Sequence, residues 1–113
     1  MKGYYMNLTF KKLSRTNKHR CRKAFHSLKS WTETDWACAL AGEVGELCNF
    51  IKKRRRRPNK KEMARLKHEV AKEMSDVVCY LDLLASRMGI DLEKAIIEKF
   101  NEVSDRKGSK IKL

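Results

Sequence analysis

The chain has 113 residues, of which 42% are hydrophobic and 36% charged, with one proline and five glycines. That balance excludes a disordered chain and a turn-rich β-fold, and it suits one helical domain small enough for partner chains to extend its core. The formal net charge of +13 asks for an anionic partner: nucleic acid, an acidic membrane or a phosphorylated small molecule.

Residues 1–16, which include "YYMNLTF", read as an irregular or extended N-terminal arm. They show neither a continuous apolar run nor a cleavage pattern, so no signal peptide is expected. The first helix is expected from Asn17 to Lys29, with Cys21, Ala24, Phe25 and Leu28 on its apolar face. Thr32 suits the N-cap of a second helix, with Asp35 three residues on for a capping box, and that helix should run to about Lys53. The basic loop "KKRRRRP" follows, ended by Pro58. Asn59 and Glu62 form a second capping-box pattern before a long third helix that reaches Met88 and stops at Gly89. Asp91 caps the fourth helix, "DLEKAIIEKFNEVSDR", and residues 108–113 form a short basic tail. Short connections favour antiparallel neighbours, so the expected fold is an all-α, four-helix-bundle-like domain over 17–107.

No apolar run approaches the roughly 20 residues of a membrane span. Cys21, Cys38, Cys48 and Cys79 form no CxxC pair. They read as buried free thiols in a reducing, cytoplasmic setting.

The second helix carries an apolar stripe, Leu40, Val44, Leu47 and Ile51, at spacings of 4, 3 and 4. Glu43 and Glu46 fall about 60° and 120° to one side of it. The third helix repeats the arrangement with Val70, Met74, Val77 and Leu81 as the stripe, and Glu73 and Asp76 as the acids. "LAGEVGELCNFI" and "VAKEMSDVVCYL" align without a gap at an offset of 30, acid over acid and Phe50 over Tyr80. One Glu-x-x-Glu pair is common on a solvated helix face. Two pairs at matched offsets from matched stripes would bring four carboxylates to one edge of a shared core, where they repel and lose hydration unless a cation neutralises them. Oxygen ligands suit a hard cation, above all Mg²⁺ where phosphate completes the shell. Gly42 and Gly45, costly inside a helix, suggest close approach of a ligand or of another backbone.

At these residues the sequence resembles the MazG-type, all-α nucleoside triphosphate pyrophosphohydrolases, whose motif is ExxE, a spacer and ExxD. Here it reads Glu43-Val-Gly-Glu46 and Glu73-Met-Ser-Asp76, within a likeness from about Trp31 to Arg106. The resemblance implies Mg²⁺-dependent cleavage of a (deoxy)nucleoside triphosphate between the α and β phosphates, with Mn²⁺ as a substitute ion. It also implies subunits assembled as a homodimer or homotetramer, and a role in nucleotide-pool housecleaning. Glu43, Glu46, Glu73 and Asp76 carry over as metal ligands and catalytic acids. Lys53, Lys99 and Arg106 are candidates for phosphate, and Asn101 for the nucleotide. His26, Trp31, Trp36 and Tyr80 are candidates for the base, because aromatic faces stack on nucleobases. The run Arg54–Arg57 has no place in the motif. It supports a rival reading, a basic helical module making nonspecific nucleic-acid contacts; a third is an oligomerisation module without catalysis, its acids paired to basic residues across chains.

Overall fold

The computed structural model describes residues 7–113. Among them are four α-helices and no strand: α1 (Phe10–Arg20), α2 (Glu33–Arg55), α3 (Lys60–Arg87) and α4 (Leu92–Arg106). The all-α class is as expected.

The first helix differs from its expected span. It begins seven residues earlier, capped by Thr9, whose hydroxyl accepts from Lys12 N–H at 3.1 Å. After Arg20 the backbone widens into a π-helical turn, Cys21–Phe25, followed by a 3₁₀ turn, Leu28–Ser30. The reason for the misreading is physical. The protected positions of α1 include Leu13 and Asn17, continued by Cys21 at the start of the next turn, so a polar residue occupies the middle of the packing face and hides its apolar period. Of the arm expected over 1–16, residues 1–6 lie outside the described part, and most of the remainder is helical.

The other three helices fall where expected. Thr32 and Asp35 complete a reciprocal capping box, with bonds of 3.1 and 2.9 Å. Asn59 caps α3 by accepting from Glu62 N–H. The Glu62 side chain turns instead to Arg65, so that box is half formed. Gly89 and Gly108 sit at φ +70°, the left-handed conformation that ends α3 and α4.

α2 and α3 make the most extensive contact and run antiparallel across the short 56–59 connection. Their protected residues include Trp36, Leu40, Glu43, Leu47, Phe50 and Arg54 on α2, and Leu66, Val70, Glu73, Val77, Tyr80 and Leu84 on α3. Both sets follow 4-3-4-3-4 spacing, so the seam is coiled-coil-like. It is rotated from the expected stripes. Glu43 and Glu73 lie on the seam itself, whereas Val44, Ile51, Met74 and Leu81 face outward, 39–51% exposed.

α1 packs on α3. Asn17, buried, donates to the Cys79 carbonyl at 2.8 Å and to Asp82 Oδ2 at 3.0 Å. Cys21, Trp36 and Leu83 form a buried cluster, with Leu28, Trp31, Tyr80 and Leu84 against it. The cysteines are free, but only Cys21 is fully buried, and Cys38 and Cys48 are exposed, contrary to expectation. α4 makes little contact with the other helices. Asn101 instead holds the chain end, donating to the Leu113 carbonyl and accepting from Leu113 N–H. The radius of gyration is 17.1 Å, against about 13 Å for a compact domain of this size. No described helix is long and apolar enough to cross a membrane.

Candidate functional site

The rotation of the seam places two carboxyl groups where apolar side chains would ordinarily pack. Glu43 and Glu73 are half-buried, and Oε2 of each is buried without a hydrogen-bond partner. Asp76, one turn along α3, is exposed at the edge. One carboxylate oxygen from each of Glu43, Glu73 and Asp76 lies within 4.8 Å of the others. Glu46 is not in this group of three but stands beside Glu73 and bears on its ionisation.

The electrostatics follow from that crowding. Burial is the main cause that raises Glu43 from 4.5 to about 7. A hydrogen bond with Glu73 and the charges of Glu46, Asp76 and Glu73 add to it. Glu73 is also raised, by burial first, while its bond with Glu43 opposes the shift. The Glu43–Glu73 pair therefore keeps a proton at a pH where separate carboxyl groups would lose it. Buried oxygens without partners, in an all-oxygen set, fit a hard divalent cation, which would replace that proton and satisfy them. No Ser–His or Cys–His pair adjoins the acids among the described residues.

Next to the acids is a cavity of about 320 Å³, lined by Asn17, Arg20, Phe25, His26, Trp31, Trp36, Glu43, Asp76, Cys79, Tyr80 and Leu83. Its aromatic wall is continuous. His26 lies 4.5 Å from Trp31 and 5.4 Å from Trp36, Trp31 lies 4.6 Å from Trp36, and Trp36 lies 6.3 Å from Tyr80, centroid to centroid. Trp36 is 1% exposed and donates its indole N–H to the Leu28 carbonyl. It forms the floor, its ring already covered by its neighbours. His26, Trp31 and Tyr80 are half-buried and Phe25 is exposed, so these rings are the reachable ones. His26 Nδ1 lies 2.9 Å from the Ser27 carbonyl, which can only accept, so Nδ1 carries the hydrogen. The Tyr80 hydroxyl is raised by burial and by the charges of Glu43 and Asp76, and it stays neutral.

The structure thus gathers Glu43, Glu73, Asp76, His26, Trp31, Trp36 and Tyr80 at one place, with Glu46 at its edge. It does not bring Lys53, Lys99, Asn101 or Arg106 there within one chain. Lys53 lies over the Phe50 ring at 5.2 Å, ten residues past Glu43, or about 15 Å along the helix. Lys99 pairs with Glu102 at 3.2 Å, Asn101 holds Leu113, and Arg106 is exposed on the outlying α4. Arg54 packs into the far end of the seam, and Arg55–Arg57 are exposed. A Cβ on Gly42 or Gly45 would meet nothing within 4 Å, so a tight helix crossing within the chain is not why they are there. Sequence reasoning missed Asn17 and Arg20. Each sits in a basic stretch whose pattern gives no sign of a cavity.

The model of the MazG nucleotide pyrophosphohydrolase domain matches residues 32–107, more than half of the chain. No curated protein and no solved structure matches.

Proposed function

The chain belongs to the MazG nucleotide pyrophosphohydrolase family, and we propose that it hydrolyses (deoxy)nucleoside triphosphates to the monophosphate and pyrophosphate in nucleotide-pool housecleaning. The observation that carries this reading is the pair of buried, partnerless carboxylate oxygens of Glu43 and Glu73 beside an aromatic cavity. Glu43, Glu73 and Asp76 would hold Mg²⁺, or Mn²⁺ in its place. Such an ion would supply neutralisation of phosphate charge and Lewis-acid polarisation of the phosphoryl group. Glu46, outside the three-oxygen group, is the carboxylate left to take a proton from the attacking water. His26, Trp31 and Phe25 contact the nucleoside, and the Trp36 floor keeps water from it. This division of labour needs no protein nucleophile, because attack on a triphosphate depends on charge neutralisation and in-line placement.

The same reading makes the chain one subunit of a homodimer or homotetramer. The outward residues Val44, Ile51, Met74 and Leu81, and an apolar hollow of about 680 Å³ on α4, are the surfaces such packing would cover. Lys99 and Arg106 would then meet phosphate only in the assembly.

The test is pyrophosphate release with Mg²⁺ across a panel of ribo- and deoxynucleoside triphosphates. At least one is turned over, and Glu46→Gln or Asp76→Asn abolishes release. Absence of release from the whole panel refutes the reading.

A further inference from the structure

Part of the cavity wall comes from residues 17–31, which precede the span matched by the family model. One of them, Arg20, is the only Lys or Arg in the lining. It shares the cavity with Glu43 and Asp76, yet it forms no ion pair or hydrogen bond among the described residues, and it is exposed to solvent. Its guanidinium is near enough to Tyr80 to oppose the rise of that hydroxyl.

The position of Arg20 is built rather than incidental. Asn17 fixes α1 on α3 at the level of Cys79 and Asp82 through its two hydrogen bonds. α1 runs antiparallel to α3, since Phe10 and Ser14 line one hollow with Ile90 and Ser86. Three residues on from Asn17, Arg20 has advanced about 4.5 Å toward Asp76 and stands on the same side of the helix. The π-helical turn starts at the next residue, closed by His26 N–H to the Cys21 carbonyl at 2.9 Å. It ends the helix there and leaves Arg20 at the acid-facing end.

We infer that Arg20 is a substrate-contacting residue, its guanidinium donating to a non-bridging oxygen of the phosphate nearest the ribose. A guanidinium offers several coplanar donors and no acceptor, and it matches a phosphate edge. It lines one cavity with both the aromatic rings that would take the nucleoside and Glu43 and Asp76, which would take the ion, and it lies close to Tyr80. A nucleotide bound across the rings and the acids has its first phosphate inside this cavity, where Arg20 is the one cationic side chain of the lining. This rests on the nucleotide reading of the cavity, but its test does not depend on turnover.

Isothermal titration with a nucleoside monophosphate and with the corresponding free nucleoside, both in Mg²⁺, reads the contact directly. Arg20→Ala weakens the monophosphate about tenfold or more and leaves the nucleoside unchanged. Arg20→Lys recovers part of the loss. Lys23→Ala, which removes the same charge from an exposed position outside the cavity, has no effect. In steady-state assays, kcat/KM for Arg20→Ala falls by the same factor for every base. Unchanged monophosphate affinity overturns the inference, and so does a loss that varies with the base, which would make Arg20 a base reader. If the wild type binds monophosphate in an Arg20-dependent way yet releases no pyrophosphate, the hydrolase reading fails and this one stands.

Discussion

Replacing Glu43 with Gln should stabilise the metal-free protein, although it removes a residue from the centre of the site. Glu43 sits on the packed seam with its pKa raised from 4.5 to about 7. The folded state therefore keeps a proton that the unfolded chain releases. The stability cost is negligible below pH 4.5, grows as pH rises through the interval, and is complete above pH 7. At about 1.4 kcal/mol per pKa unit the separation sets an upper limit. Solvent screening at the open edge of the seam reduces the usable figure to about 1–2 kcal/mol. Glu43→Gln carries no such cost, so thermal unfolding in EDTA at pH 8 should show a midpoint about 5 °C or more above wild type. At pH 5 the difference should shrink to a small fraction of that. Adding Mg²⁺ at pH 8 should reverse the order, because a ligand that binds only the folded state raises wild type and has lost one of its oxygens in the variant. A Gln variant less stable than wild type in EDTA at pH 8, or a difference independent of pH, would refute the reasoning.

Asn17→Ala should cost about 2 kcal/mol or more in urea unfolding, because it leaves the buried Asp82 carboxylate and the Cys79 carbonyl without their donor. Asn17→Asp should cost more than Ala, since it sets one carboxylate against another; the reverse order would show that Asp82 is not the partner that matters. Met74→Glu places a charge on the outward face. Light scattering after gel filtration should show a smaller particle than wild type, and an unchanged mass would place the subunit contact elsewhere.

The acids were legible in the sequence because two helices repeat one pattern in register, and repetition survives even when the packing face is misjudged. The face was misjudged because charged residues were assumed to lie beside the seam. Period alone cannot show that Glu43 replaces Val44 within it, since both belong to acceptable 3–4 patterns. The cavity was half legible. His26, Trp31, Trp36 and Tyr80 have ring chemistry that invites a nucleoside reading, whereas Asn17 and Arg20 are polar residues in a basic stretch. Their significance comes from the distant pairing of Asn17 with Asp82. The remoteness of α4 was not legible, because its amphipathic pattern is the same whether its partner is its own chain or another.

The offset of 30 that aligns α2 with α3 has a geometric consequence. Two antiparallel helices with the same pattern are related by a pseudo-twofold axis, and here it passes between Glu43 and Glu73. The carboxylate centre breaks that symmetry, since it takes Asp76 from α3 and leaves out Glu46, its mate on α2. The two ends of the seam differ as well. Toward Trp36 and Tyr80 the segment from Asn17 to Trp31 closes an aromatic recess. Toward Phe50 and Leu66 the chain turns through Lys53 and Arg54. Direction is therefore written twice, in the choice of Asp76 over Glu46 within the repeat and in the flanking segments outside it, and both give the seam one distinct end.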